Sequence, residues 1–115
     1  MAITEAFSGT ETVGTSEWSM TTDTAGPDAE TSDGVFQAFV DFNALVAADQ
    51  FEFKVYEKVL SSSTQRCVYS AVIVGVQSCP NWVSPSLILL HGWDMTLKKL
   101  AGTDRSIDWS IRRVA

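Results

Sequence analysis

The C-terminal stretch constrains the fold most, because its side chains alternate between apolar and polar over two neighbouring segments. In the second segment, 105–112, Ile107, Trp109 and Ile111 fall on one face of an extended strand, since successive side chains point to opposite sides. The first segment, 94–100, alternates as well, and the intervening Ala-Gly-Thr-Asp sequence has turn chemistry. We therefore predict that these two segments form a β-hairpin with one buried face and one solvated face.

The rest of the chain must cover the apolar face of this hairpin. Burying its three apolar residues contributes at most about 1.5–3 kcal/mol each, and an isolated hairpin is barely stable in water. A chain of 115 residues has the size of one domain and buries about two-thirds of its unfolded surface. The composition, 45% hydrophobic and 19% charged, is that of an ordinary globular protein. We predict a single domain, 1–115, with its own core and no need for a metal or a disulfide.

Further strands are indicated in the second half of the chain. Residues 35–42 carry aromatic side chains on both faces, which favours a central strand or one that also faces a partner. Residues 51–60 and 65–76 predict a second hairpin, with Val59 among the inward residues. Residues 86–91 predict a short apolar strand.

The remaining segments complete the predicted architecture. Residues 1–14 hold a strand or an extended N-terminal arm, and 16–22 a second strand; the arm either pairs within its own domain or is donated to a neighbour. Residues 23–34 read as a solvated loop, 81–85 as irregular, and 43–50 as a helical piece of a turn or two. We predict an all-β domain, an antiparallel β-sandwich or barrel (jelly-roll-like) of about eight strands with almost no helix.

The formal net charge of −6 is divided unevenly along the chain. Residues 1–53 hold ten acidic residues and no Lys or Arg, while 54–115 hold eight basic and four acidic residues. The acidic half argues against nucleic acid as a partner, because phosphate binding depends on Lys and Arg. The division favours contacts between copies, unless strands from both halves interleave and mix the charges.

Residues with catalytic or ligating chemistry do not form a recognisable motif. Cys67 and Cys79 are predicted to be reduced thiols, because an intervening strand would hold them beyond disulfide distance. His91 is the single histidine, so a zinc site would lack ligands; paired with Asp94 and a serine it is a weak hydrolase candidate, because no nucleophile elbow is present. We expect no enzyme activity and no catalytic, cofactor or metal site. No apolar run suggests a secretion signal or a membrane span.

The four tryptophans are the residues most suited to binding a ligand through an aromatic surface. Alternation places Trp109 in the core, and Trp18 is expected there too. Trp82, between two prolines, and Trp93, after Gly92, are each either a core or loop anchor or an exposed binding residue.

The closing sequence Leu-Ala-Gly-Thr-Asp-Arg-Ser-Ile-Asp-Trp-Ser-Ile (100–111) and the Thr-rich start Met-Ala-Ile-Thr-Glu-Ala-Phe (1–7) suggest a family. With the small size and acidic charge, they resemble the head decoration, or cement, proteins of tailed bacteriophages, specifically siphophages. The resemblance implies a β-sandwich or barrel made in the host cytoplasm and set on the outer capsid surface of the virion. It also implies a homo-oligomer, a trimer, that bridges neighbouring copies of the major capsid protein and stabilises the head.

Such a protein needs an edge strand or arm that can pair with another chain. We assign this role to the N-terminal stretch, whose deletion over 2–13 is expected to abolish capsid binding and leave a folded domain. Its partner-binding residues are Ile3, Glu5, Phe7, Glu11 and Val13.

Two alternative functions remain open. The first is a carbohydrate- or receptor-binding module of a phage tail or surface protein, which would use Trp82, Trp93 and Tyr69. The second is a neck or tail-completion protein, present at a few copies per virion.

Overall fold

The structure, a computed structural model that describes residues 2–114, consists of ten strands in two antiparallel sheets packed face to face. This confirms the predicted all-β class and the sandwich; neither sheet closes into a barrel. Residues 2–114 contain no helix, and ten strands form where about eight were predicted. In chain order the strands are β1 (Ile3–Val13), β2 (Trp18–Ser19), β3 (Thr24–Ala25), β4 (Gly34–Asp41), β5 (Gln50–Glu57), β6 (Arg66–Val74), β7 (Asn81–Val83), β8 (Leu87–Leu89), β9 (Asp94–Ala101) and β10 (Arg105–Val114).

The order of the strands places the two long edge strands on opposite sides of the sandwich. Sheet I has the order β1-β10-β4, and the far edge of β4 pairs with β7 and β8; sheet II has the order β3-β2-β9-β5-β6. The ring centroids of Phe7 on β1 and Trp93, next to β9, are 5.9 Å apart. Those of Trp82 on β7 and Phe53 on β5 are 4.9 Å apart. Strand β1 thus lies over the β9 side of sheet II, and β6 lies beyond β5 at the other side.

Alternation along β4 and β5 builds the centre of the core, as the sequence predicts. β4 lies between β10 and the short strands, so it is a central strand, and β5 pairs with β6 as the predicted hairpin. Every second residue of both strands is almost completely shielded from solvent, which is the main stabilising term of a β-sandwich. The residues that these strands bury are Phe36, Ala38, Val40, Phe51, Phe53 and Val55.

The predicted C-terminal hairpin is wrong, although both of its strands form. β9 pairs with β2 and β5 in sheet II, whereas β10 pairs with β1 and β4 in sheet I. The chain therefore crosses from one sheet to the other between Ala101 and Arg105. Both strands bury an apolar face against the same core, from opposite walls. Alternation in the sequence indicates which face of a strand is buried, but it does not indicate which strand lies beside it in the sheet.

Asp49, in the connection between β4 and β5, anchors this crossing. Its buried carboxylate accepts hydrogen bonds from Val46 N–H at 2.8 Å, Thr103 N–H at 3.0 Å and Arg105 Nε at 2.7 Å. These hydrogen bonds lower the pKa of Asp49 from 3.8 to about 2. The largest effect comes from the Val46 N–H, followed by the Arg105 side chain and the Thr103 N–H. Gly102 has a φ of +89° and passes so close that a Cβ there would overlap Asp49 Oδ1. The path of the crossing is therefore set by a carboxylate far away in sequence.

Four local predictions differ from the structure. Residues 24 and 25, predicted to lie in a solvated loop over 23–34, form β3 against β2. Residues 43–49 form turns instead of the short helix predicted over 43–50, and Asp49 accepts the Val46 N–H hydrogen bond within them. Residues 81–83, predicted to be irregular, form β7 against β4. Val59, predicted to point inward, is 82% exposed because β5 ends before it.

The N-terminal stretch pairs within its own domain, with β10, along the length of β1. Val13 at its end is buried, and Gly9 lies so close to Trp109 that a Cβ would be 2.6 Å from Cζ2 of the indole. β1 therefore covers part of the core. Its packing indicates that deleting residues 2–13 would uncover Trp109 and would not leave the domain intact.

A pair of glycine substitutions tests the Asp49 contact. Gly102 and Gly75 have φ values of +89° and +70°, and an L-residue in this region costs about 1–2 kcal/mol. A Cβ on Gly75 would meet its nearest atom, Ala47 O, at 3.4 Å, an ordinary contact. We expect Gly102→Ala to lower the free energy of unfolding in urea by clearly more than Gly75→Ala. Equal losses would contradict a close approach to Asp49.

Acid titration of stability tests the same carboxylate. Because the pKa of Asp49 falls from 3.8 to about 2 on folding, its contribution is present above pH 3.8 and is lost as the pH falls through about 2. We expect urea midpoints of the wild type to converge on those of Asp49→Asn over this range. Thr103→Ala, which keeps the backbone donor, should retain the wild-type acid dependence. Parallel curves for the wild type and Asp49→Asn would refute the assignment.

Candidate functional site

The outer face of sheet I carries an apolar row built from cross-strand pairs. Ile3 stands opposite Val114, Val114 opposite Val35, and Val35 opposite Ile88, so four strands contribute to one row. Ile3 is 67% exposed and Ile88 is 82% exposed. Val35 and Val114, in the middle of the row, are half-buried. Single apolar residues are common on protein surfaces, whereas this row places apolar side chains of four strands next to one another.

An arginine and a phenylalanine lie next to this row. The guanidinium carbon of Arg112 is 3.7 Å from the centroid of the Phe39 ring, which is a cation–π contact. Val83 stands opposite Phe39 on β7 and is 42% exposed. Shallow clefts of about 200 Å³ and about 220 Å³ both border the Phe39–Arg112 pair. We call this surface the sheet I face; it comprises Ile3, Val35, Phe39, Val83, Ile88, Arg112 and Val114.

The opposite end of the same face is acidic. Asp41 and Asp108 stand opposite each other on β4 and β10, an arrangement of like charges that costs stability. Thr10 Oγ1 donates to Asp108 Oδ1 at 2.7 Å, and Asn43 N–H donates to Asp41 Oδ1 at 2.9 Å. The outer surface of sheet I therefore changes from apolar to acidic along its strands.

Two of the predicted partner-binding residues lie at the sheet I face. Ile3 begins its apolar row, and Glu5 is exposed opposite Arg112. Glu5 Oε2 accepts a hydrogen bond from Ser110 Oγ at 2.6 Å. These two side chains are accessible to a second protein.

The other three point toward the interior, because the register of β1 shifts between Glu5 and Phe7. Phe7 packs edge-on against Trp93, and Val13 is 1% exposed, so neither presents a free side chain to a partner. Glu11 stands opposite the core residue Ile107 and so faces the interior side of the sheet at its edge. The bulge thus divides the predicted set between two faces, which alternation alone could not show.

The aromatic residues of the alternative ligand site pack into the core. Trp93 is 0% exposed, with its ring centroid 4.4 Å from that of Phe36, so it is not available to a ligand. Trp82 and Tyr69 are partly buried, and both rings contact Phe53, with centroids 4.9 Å and 6.3 Å away. The three side chains do not form an exposed platform.

A buried carboxylate lies under the 20–30 segment, on the outer side of sheet II. Asp94 is 0% exposed and accepts hydrogen bonds from Thr21 Oγ1 at 2.8 Å, Asp28 N–H at 2.7 Å and Met95 N–H at 2.8 Å. Burial raises the pKa of Asp94, although these hydrogen bonds oppose the change. The carboxylate fastens the 20–30 segment to β9, and its contacts are not those of a base paired with His91.

Glu17, just before β2, is the centre of a second polar cluster. Its Oε2 accepts hydrogen bonds from Tyr56 Oη and Thr96 Oγ1, both at 2.5 Å. Burial and the bond to Glu17 raise the pKa of the Tyr56 hydroxyl. Because Tyr56 is on β5 and Thr96 on β9, we interpret these bonds as a structural tie between residue 17, just before β2, and two strands of the same sheet.

Comparison with protein-family models, with curated protein sequences and with solved structures found no match. Within residues 2–114, no helix has the length and apolarity needed to cross a membrane. The same residues contain no cluster of three or more His, Cys, Asp or Glu side chains placed to hold a metal ion. Cys67 and Cys79 are free thiols, as predicted.

Sequence reasoning assigned Ile3 to partner binding and read 35–42 as a strand that is central or also faces a partner, but it did not assign Val35, Phe39 or Ile88 to a surface. The sequence does show that some strands are apolar on both faces, and this pattern indicates a second apolar surface. The outward residues of these strands are Val35, Phe39 and Ile88. The sequence does not show that they align with Ile3 and Val114, because the alignment depends on the register of four strands.

An asparagine at position 94 tests the buried carboxylate. Asp94→Asn keeps the shape but turns an amide N–H toward the Asp28 N–H, so we expect a loss of about 1–3 kcal/mol in the free energy of unfolding. Since the pKa of Asp94 is raised on folding, wild-type stability is highest below the unfolded pKa and falls as the pH rises through the folded one. The difference in the free energy of unfolding between the wild type and Asp94→Asn, measured by urea titration, should therefore become smaller from acid to neutral pH. A difference that widens would contradict the raised pKa.

Proposed function

We propose that this protein is a virion structural protein that decorates the outer surface of a tailed-phage capsid. It stabilises the head by binding neighbouring copies of the major capsid protein. The observation that supports the proposal is the sheet I face, an exposed surface that combines aliphatic, aromatic and arginine side chains. The centres of protein–protein interfaces are more apolar than the rest of the surface and are enriched in aromatic and arginine side chains.

The exposed side chains of this face provide the binding energy. Ile3 at 67% and Ile88 at 82% exposure contribute little to the stability of the monomer. Covering such a side chain completely is worth about 1.5–3 kcal/mol, so a few of them can offset the cost of association. Arg112, already held over Phe39, offers guanidinium donors at little further cost in conformational entropy.

The mechanism is mechanical. A rigid sandwich that contacts two capsid subunits adds apolar area which must be uncovered before the subunits separate, so the head resists internal pressure better. The resemblance also implies a trimer on the capsid surface, and the mass of the protein in solution tests that separately. No observation favours the carbohydrate-binding alternative, since Trp93 is buried and Trp82 and Tyr69 pack against Phe53.

A lysine in the apolar row tests the proposal. Ile88→Lys places a charge at the centre of the proposed contact, and we expect at least a tenfold loss of affinity for undecorated phage heads in a co-sedimentation assay. Val59→Lys is the matched control, because Val59 is equally exposed, at 82%, and lies outside sheet I. If the wild type does not pellet with heads at saturable stoichiometry, the proposed function fails. Equal binding of Ile88→Lys and the wild type would reject the sheet I face as the contact.

A further inference from the structure

Strand β6 is a long free edge with an apolar outer side. It is the terminal strand of sheet II and pairs with β5 along one side only. Val68, Val72 and Val74 along it are 50%, 52% and 56% exposed, and Val76 beyond it is 71% exposed. Unpaired backbone groups next to exposed β-branched side chains form a template for another strand.

The other edge strands are short, bulged or carry an inward-turned charge, which are features that prevent pairing with another chain, and β6 lacks most of them. β3 has two residues, and β7 and β8 have three each. β1 has a bulge after Glu5 and turns the charged Glu11 toward the interior side. β6 has nine residues, no proline and one charge, Arg66 at its start. Its register shift opposite Val55 and Tyr56 leaves residues 69–74 regularly paired with β5.

The charges around β6 suit a second copy of the same chain. The protein carries a net charge of −6, so two copies repel each other except where charge cancels locally. Beside the valines of β6, Lys54 Nζ lies 3.5 Å from Glu52 Oε1, so the neighbouring part of β5 is close to neutral. Glu52 stands opposite Val72 and Lys54 opposite Ser70. The β6 edge is thus a place where two acidic molecules can meet.

The sequence of β6 is also complementary to itself. In an antiparallel alignment centred on Val72, the two copies of Val72 stand opposite each other, and Val74 stands opposite Ser70 of the second copy. Four valines then cluster around the symmetry axis, and no charge stands opposite a like charge. The arrangement is isologous, because the same strand serves both copies and the pairing closes after two.

We propose that two copies associate through β6, in antiparallel register, so that their sheets II join into one continuous sheet. The dimer buries the exposed valines and satisfies the free backbone groups of both edges. The sheet I face lies on the other sheet and remains open in each copy. The inference is thus independent of the capsid proposal, and it gives a two-fold dimer where the resemblance implies a trimer.

The mass of the protein in solution and one lysine variant test the dimer. At about 100 μM, above the micromolar dissociation constants of modest interfaces, we expect the wild type to sediment at twice its chain mass of 12.5 kDa. Val72→Lys should raise the dissociation constant at least tenfold, because two lysines would meet at the axis. A lysine at 72 faces Glu52 in the monomer, so circular dichroism and the urea midpoint should stay unchanged. Ile88→Lys, on sheet I, is the matched control and should remain a dimer.

Hydrogen exchange distinguishes strand pairing from other association. Amides of residues 69–74 that point away from β5 should exchange slowly in the wild type and fast in Val72→Lys. A wild-type monomer, a dimer that survives Val72→Lys, or a dimer without protection in β6 would each overturn the inference. A mass of three chains would overturn it as well and would favour the trimer. Loss of head binding in Ile88→Lys with an intact dimer would show that the two surfaces act separately.

Discussion

Asp49 joins three connections that are far apart in sequence, two through its carboxylate and one through its backbone carbonyl oxygen. It accepts hydrogen bonds from the β4–β5 turn at Val46 and from the β9–β10 crossing at Thr103 and Arg105. Its own carbonyl oxygen accepts the Gly75 N–H after β6 at 2.8 Å. These bonds fix the point where the chain leaves sheet II for sheet I. Because β10 lies in sheet I, Ile107, Trp109 and Ile111 enter the core from the sheet opposite β9.

The long strands of this protein can be predicted from the sequence, because a strand that buries one face has apolar residues at every second position. Alternation in 35–42 and 51–57 corresponds to β4 and β5, and the turn-rich run 61–64 corresponds to a true hairpin connection. The pairing of β9 and β10 was not predictable in the same way, since a short turn fits both a hairpin and a crossing. In the structure the crossing passes close beside Asp49 at Gly102, a tertiary contact that local patterns do not encode.

The candidate surfaces were predictable only in part, and again register is the reason. Ile3 and Glu5 were assigned to partner binding and are accessible, but the bulge in β1 turns Phe7 and Val13 inward. Trp93 follows a glycine and resembles a loop residue in the sequence, yet it lies at the centre of the core. A surface formed by four strands is a property of their alignment, so each residue looks unremarkable until the alignment is known.

The pairing of Ile3 with Val114 brings the start of β1 and the end of β10 to one corner of sheet I. A circular permutant is therefore compatible with the fold. A short linker from the end of β10 to the start of β1, with new termini at 61–64, would keep all ten strands and all their partners. A second protein attached to either end would emerge beside the apolar row and crowd it. One inserted at 61–64 would emerge from a turn of sheet II instead. The architecture can therefore carry a fused cargo either over the sheet I face or away from it.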